Sequence, residues 1–257
     1  TQNQDYADEI ARARDWLVNS QWDNQCLWGS IAETSWYWGG FGYGHSQRPD
    51  MSNTQFALLA LSATDLPQSD ATWSKAVRFI SRSQNRQESN DGFSFFDDGG
   101  FNYIPSIAGC ITPGCLSYGG ATGAGIWGFA LAGLTPLDSR FADALVWVED
   151  NYTWNYNPLT DGSWGSNSLY YYYLSMAKAL SMSRRTQIGN HDWYRDLSEK
   201  LRELQRDNGS WFNDNSYLME NNPELVTAYT ILALQTRQLP PLADLELAII
   251  LHSPADL

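Results

Sequence analysis

Residues 205–211 read Gln205-Arg206-Asp207-Asn208-Gly209-Ser210-Trp211, and residues 227–234 read Thr227-Ala228-Tyr229-Thr230-Ile231-Leu232-Ala233-Leu234. A charged segment ends at the glutamine, a glycine turn carries a tryptophan, and an uncharged segment follows after a polar linker. The rest of the chain repeats this alternation. The pattern predicts a protein built from repeated helix pairs.

Charged, amphipathic segments and uncharged segments alternate four times along the chain. The amphipathic segments are 5–21, 69–83, 139–149 and 192–206. The segments with at most one charged residue, which we call uncharged, are 53–64, 122–134, 168–181 and 223–235. Because a helix that is apolar on all sides is buried, the uncharged segments predict inner helices and the amphipathic ones outer helices. We therefore expect an all-α fold in a single domain, 1–257. Its helix pairs are predicted at about 5–64, 69–134, 139–181 and 192–235, with a partial ninth helix at 244–252.

Several local features refine this expectation. Ser52 or Asn53 is predicted as the N-cap of the first inner helix, since both residue types cap well. Four glycines in the second inner segment indicate close helix packing or a neighbouring cavity. They are Gly123, Gly125, Gly128 and Gly133. The linkers 22–50 and 94–119 are long and rich in aromatic residues, which predicts that they pack over one end of the domain or line a site.

Composition excludes some classes of protein. The net charge of −13 would repel a phosphate backbone, and the 16 Lys and Arg residues are scattered, so we expect no nucleic-acid partner. No apolar run approaches the roughly 20 residues that cross a bilayer, so no transmembrane segment is predicted. The chain begins at Thr1 without an initiator Met. The sequence leaves open whether the protein is cytoplasmic or exported with its signal removed.

The cysteines allow two interpretations. Cys110 and Cys115 lie five residues apart in a Pro/Gly loop and could form a small disulfide in an oxidising compartment. Zinc binding is the alternative, but the other candidate ligands have no ligand-like spacing from this pair. They are Cys26, His45, His191 and His252. We therefore expect no metal and no cofactor.

The segment from Gln205 to Trp211 resembles the Gln-x-x-x-Gly-x-Trp repeat of squalene–hopene cyclases. Asp91-Gly92-Phe93 and Asp161-Gly162-Ser163-Trp164 are similar to weaker copies. The chain as a whole resembles the prenyltransferase and squalene-cyclase repeat superfamily, including its small bacterial members. This resemblance implies an α/α toroid of about four helix pairs around a cavity for an isoprenoid. It also implies structural roles for Gln21, Gln84, Trp164, Gln205 and Trp211.

The catalytic motifs of that superfamily are incomplete. Class II terpene cyclases protonate an alkene with the middle Asp of Asp-x-Asp-Asp-Thr, and the matching segment here is Asp50-Met51-Ser52-Asn53-Thr54. Ser52 replaces the acid, and a hydroxyl is far too weak an acid for that step. Protein prenyltransferases bind zinc partly through a His that this chain lacks at the corresponding position. The remaining candidate acids are Asp97 and Asp98, where adjacent like charges could raise one pKa, although such a loop also fits a solvated turn.

The sequence therefore predicts a binding protein with a degenerate acid motif, whose ligand is an apolar and possibly isoprenoid small molecule. Aromatic residues of the linkers and inner helices are the predicted ligand contacts: Trp36, Trp38, Tyr43, Phe101, Tyr103, Trp127, Tyr170, Tyr172 and Tyr229. One alternative is a divergent terpene cyclase that uses Asp97 or Asp98. Another is a carbohydrate-binding or polysaccharide-acting toroid, because tryptophans, tyrosines and acids suit sugars. Enzymatic activity and oligomeric state stay open.

Overall fold

The computed structural model describes residues 4–44, 47–159, 162–163 and 165–236. Within these ranges the chain is all-α, as predicted. Its helices are α1 (Ala7–Ser20), α2 (Met51–Ser62), α3 (Ala71–Ser83), α4 (Gly119–Leu131), α5 (Ser139–Asp150), α6 (Leu169–Met182), α7 (Trp193–Leu204) and α8 (Pro223–Leu234). A short antiparallel pair joins β1 (Pro158–Leu159) to β2 (Gly162–Ser163). The helix predicted at 244–252 lies outside the described residues.

The uncharged helices form the centre of the structure. α4 packs between α2 and α6, and α6 also packs against α8. Most of α4 and α6 is buried, whereas α2 and α8 each keep an exposed apolar side that includes Phe56, Leu59, Ile231 and Leu232. Of the amphipathic helices, α1 packs on α2, α3 on α2 and α4, and α5 on α4. None of the described helices is both long and apolar enough to span a bilayer.

The N-terminal parts of the central helices lie close together. The hydroxyl of Tyr171 on α6 donates to Oε1 of Gln55 on α2 across 3.1 Å, and both side chains are buried. This bond joins the two helices that pack on either side of α4.

Helices α2 and α4 start earlier than the sequence predicts. α2 begins at Met51, because the carboxylate of Asp50 accepts a hydrogen bond of 2.8 Å from the backbone N–H of Asn53. Asp50 is therefore the N-cap, and the prediction of Ser52 or Asn53 was wrong. α4 begins at Gly119 and stops at Leu131, since the chain turns at Gly133 with a φ of 88°.

The repeat is held by a glutamine amide that spans two chain segments. Nε2 of Gln21 donates to the carbonyls of Gly39 and Thr72, at 2.8 and 3.0 Å. Nε2 of Gln84 donates in the same way to Gly99 and Arg140, both at 2.8 Å. Each glutamine thus joins the end of its own helix to the linker that follows and to the start of the next amphipathic helix.

An aromatic residue then follows the glycine and bonds to a threonine on the next central helix. The three donor–acceptor pairs, each from a backbone N–H to a threonine Oγ1, are Phe41 to Thr54, Phe101 to Thr122 and Trp211 to Thr227. The second copy of the repeat is therefore Gly99-Gly100-Phe101, and the interpretation of residues 91–93 as that copy was wrong. The carboxylate of Asp91 instead accepts bonds from the guanidinium groups of Arg78 and Arg82.

The glycines of α4 allow close helix packing. A Cβ added to Gly123 would lie 2.7 Å from the backbone nitrogen of Met176 on α6. Gly125 packs against the ring of Phe101 in the same manner. In the linker before α4, Cys110 and Cys115 form a disulfide.

Candidate functional site

A cavity of about 580 Å³ lies at the N-terminal ends of the four central helices. Most of its wall consists of aromatic and aliphatic side chains. The aromatic members are Tyr43, Phe56, Tyr103, Tyr118, Tyr171, Tyr217 and Tyr229. Its size is within the range of pockets that bind small molecules.

Residues at the N-terminal end of each central helix face this cavity. Ser52 and Asn53 come from α2, Tyr118 precedes α4, Tyr171 comes from α6, and Leu225 comes from α8. Side chains in a helix lean towards its N-terminus, so residues of a first turn project beyond the helix end. The four helix ends therefore contribute to one space.

The linkers complete the wall. Tyr43 comes from the linker before α2, Tyr103 and Ile111 come from the linker before α4, and residues 217–220 come from the linker before α8. Both linkers whose length and aromatic content stood out in the sequence therefore contribute to the cavity.

One side of the cavity carries a chain of hydrogen bonds. The oxygen atoms Oγ of Ser52 and OH of Tyr103 lie 2.6 Å apart. Oγ of Ser52 also donates to Oδ1 of Asp50 at 3.1 Å. Asp50 accepts two further bonds from the backbone N–H and the side-chain amide of Asn53. Asp50, Ser52 and Tyr103, which we call the α2 relay, link a buried carboxylate to the cavity wall.

The opposite side carries Glu220, whose side chain is fully buried. Its Oε1 accepts a hydrogen bond of 2.8 Å from the backbone N–H of Tyr171, and its Oε2 accepts one of 2.7 Å from the amide of Asn213. Burial raises the pKa of the Glu220 carboxyl, and these bonds offset only part of that rise. Glu220, in the linker before α8, therefore binds the start of α6.

Four tyrosines of the cavity, Tyr103, Tyr118, Tyr171 and Tyr229, stay protonated at neutral pH. Burial raises the pKa of Tyr103, Tyr118 and Tyr171, and the negative charge of Asp50 adds to that rise for Tyr103. Burial also raises the pKa of Tyr229. These side chains therefore present neutral hydroxyl groups and aromatic surface.

Comparison with protein-family models, with curated proteins and with solved structures finds no match.

The structure separates the predicted ligand contacts into three groups. Tyr43, Tyr103 and Tyr229 line the cavity. Trp36 and Trp38 lie outside it on the first linker, where Trp36 is partly exposed and Trp38 packs under the guanidinium of Arg78. The remaining residues are buried in the hydrophobic core: Phe101, Trp127, Tyr170 and Tyr172. Phe101 is fully buried beside Phe129, and its backbone N–H makes the bond of the repeat to Thr122.

The predicted acids Asp97 and Asp98 lie beside a separate surface depression of about 240 Å³. Oδ1 of Asp97 accepts a bond from the backbone N–H of Gln87. Oδ1 of Asp98 accepts bonds from the backbone N–H of Gly100 and the hydroxyl of Ser117. Both carboxylates hold the turn of their own linker, and neither lines the tyrosine cavity.

Three of the five residues predicted to be structural make the bonds of the repeat, namely Gln21, Gln84 and Trp211. Gln21 and Gln84 are buried, whereas Gln205 is exposed and donates to the nearby carbonyl of Gly209, at 3.0 Å. Trp211 is buried, and its Nε1 donates to the carbonyl of Leu201. Trp164 lies outside the described residues.

Sequence reasoning missed several cavity residues, namely Tyr118, Tyr171, Tyr217 and Glu220. A signal existed for the first two, because both lie at the start of an uncharged helix, and the starts of these helices line the cavity. Tyr217 and Glu220 belong to a polar linker without any distinguishing pattern. Only the folded structure brings Glu220 to the start of α6.

Proposed function

We propose that the chain is an α/α toroid that binds an apolar, isoprenoid-like small molecule in the tyrosine-lined cavity. The observation that carries this proposal is the cavity itself, with its mainly apolar wall at the converging helix ends. The bond between Tyr171 and Gln55 supports a closed array, because it joins the two helices on either side of α4. The resemblance of the repeat to squalene–hopene cyclases supports an isoprenoid as the class of ligand.

The side chains at the cavity favour binding over cyclisation. Protonation of an alkene needs a strong acid. Ser52 stands at the position of that acid, and the raised pKa of Glu220 makes its carboxyl a weaker proton donor than an ordinary one. Asp97 and Asp98 lie at a different depression. Retention of a ligand is therefore the function that these groups support best.

The open groove beside α7 is a poorer binding site for a carbohydrate than the cavity is for an apolar molecule. The ring of Tyr152 stacks on His191 with centroids 4.2 Å apart, and Trp154 is buried. These aromatic faces are used within the protein, and sugar stacking requires faces that are open to the ligand. We therefore place the ligand in the cavity.

Filling the cavity tests the proposal. Leu225→Trp adds a bulky side chain on α8 at the cavity wall. We expect the affinity for farnesol, measured by isothermal titration calorimetry, to fall by at least about tenfold because the added ring occupies the binding space.

Leu232→Trp is the matched control, because it makes the same change on an exposed side of the same helix. It should bind farnesol like the parent protein. If the parent binds no farnesol, or if both variants bind as the parent does, the cavity is not the binding site. Native mass spectrometry of the purified protein provides an independent check for a retained lipid.

A further inference from the structure

The α2 relay has a defined direction of hydrogen bonding. A carboxylate only accepts, and Asp50 accepts from the hydroxyl of Ser52 at 3.1 Å. Ser52 has a single hydroxyl proton, so its oxygen must accept in the bond of 2.6 Å that joins it to Tyr103. Tyr103 therefore donates its only proton to Ser52. The phenol oxygen of Tyr103 keeps lone pairs and has no proton left to offer.

This direction is stable at neutral pH. Burial raises the pKa of Tyr103, and the nearby charge of Asp50 raises it further. The two N–H bonds from Asn53, at 2.8 and 2.7 Å, fix the carboxylate in place. Tyr103 therefore presents a hydrogen-bond acceptor at the cavity wall.

The charges around the cavity favour an uncharged ligand head. Four helix N-termini converge there, and each carries a partial charge of about +0.5. The buried carboxylate of Asp50 opposes them, and so does the buried carboxyl of Glu220 in its ionised form. These contributions offset one another. Among the described lining residues there is no Lys, Arg or His that would hold an anionic head.

We propose that the cavity selects a ligand with a neutral hydrogen-bond donor at its head, that is, an isoprenoid alcohol whose hydroxyl donates to the phenol oxygen of Tyr103. This inference rests on the proposed function, since it concerns the ligand of the same cavity. Tyr103 and Ser52 are the residues that make the cavity bind an alcohol more tightly than an ether or a diphosphate with the same hydrocarbon chain.

Calorimetric titration of the parent protein with farnesol, farnesyl methyl ether and farnesyl diphosphate tests the selection. The ether has the same chain but no donor proton. We expect farnesol to bind roughly tenfold more tightly than the ether, the diphosphate being weakest. Equal or tighter binding of the ether or the diphosphate would overturn the inference and leave the proposed function intact. Failure of all three compounds to bind would overturn both.

Two variants test the residues. Tyr103→Phe removes the acceptor, and Ser52→Ala frees the Tyr103 proton to serve an ether oxygen. Both should bring the ratio of alcohol to ether affinity close to one, and the second should do so partly by strengthening ether binding. Tyr156→Phe, on an exposed tyrosine outside the cavity, is the control and should keep the parent ratio. A parent-like ratio in Ser52→Ala would overturn the relay even if Tyr103→Phe fails to fold.

Discussion

At the scale of single residues, Glu220 combines two opposing effects. Its carboxylate accepts N–H bonds at the start of α6, which favours the charged form. Its complete burial favours the neutral form, and burial is the larger effect, so the pKa is raised. Ser168, the N-cap residue of α6, makes no capping bond with its side chain. Glu220 takes over that role from 49 residues further along the chain.

Glu220→Gln should therefore lower the free energy of unfolding by about 1–3 kcal/mol, because the amide cannot accept every N–H bond that the carboxylate receives. The loss should shrink as pH rises from the ordinary glutamate pKa through the raised one. In that window the folded parent binds more protons than the unfolded chain, so ionisation costs the parent stability and the amide variant is unaffected. Urea unfolding at a series of pH values measures both effects.

Glu224→Gln is the control for this change. Glu224 is exposed in the first turn of α8, and its replacement should alter stability by no more than about 0.5 kcal/mol. A loss at Glu220 that grows with pH would mean that the N–H bonds outweigh burial.

At the scale of helices, the middle of the array depends on its neighbours. α4 and α6 have no side-chain cap from their own N-cap residues. The side chain of Asn157, in the linker after α5, accepts the N–H of Gly120, and Glu220 does the same for Tyr171. α2 and α8, the first and last central helices, are capped by their own residues, Asp50 and Asn222.

Contact between α4 and α6 depends on the absence of a side chain at Gly123. We expect Gly123→Ala to lower the free energy of unfolding by about 1–3 kcal/mol, because the new Cβ would meet the backbone of Ser175 and Met176, which cannot move aside as a side chain can. Thermal unfolding followed by circular dichroism measures this loss.

Gly120→Ala makes the same change on the same helix, but the nearest atom, at 3.2 Å, belongs to the movable ring of Tyr118. Its effect should be clearly smaller, since alanine also favours the helix. Equal losses at the two positions would show that helix contact at Gly123 is not the cause.

The sequence predicts the helices well and their ends less well. Alternation of charged and uncharged segments is a local signal, and all eight described helices appear near the predicted positions. α2 starts two residues before the predicted helix, because Asp50 caps it. The pairing of Gln84 with Phe101 was missed because the linker between them is long and Asp91-Gly92-Phe93 imitates the motif.

The cavity could be predicted only in part, for a similar reason. Tyr43 and Tyr103 belong to the linkers that composition singles out, and both line the cavity. Tyr171 stands among four consecutive tyrosines, which point in different directions around α6, and only Tyr171 of the four lines the cavity. Which side of α6 faces the cavity depends on contacts between distant segments, which a single sequence does not display.

At the scale of the whole molecule, these long-range caps should make the helix pairs unfold together. A chain truncated after Leu204 ends at a helix boundary but lacks both Glu220 and the buried side chains Val226 and Ala233 of α8. We expect it to lose the cooperative transition in urea that the full chain shows, because α6 would be left uncapped and partly exposed. Circular dichroism of the two chains provides the comparison. A cooperative transition in the truncated chain, with helical signal in proportion to its length, would contradict this expectation.

The bonds from Asn157 and Glu220 also define which piece of the gene can be copied to lengthen the array. A duplication that copied one outer and one inner helix would leave the new inner helix without a cap, since that cap is encoded downstream. A duplication that starts at an inner helix and continues through the next outer helix and the linker after it carries its own cap. The unit that can be duplicated therefore starts at an inner helix, whereas the helix pair seen in the structure starts at an outer helix. Insertions at the starts of inner helices should be tolerated only when they include that linker.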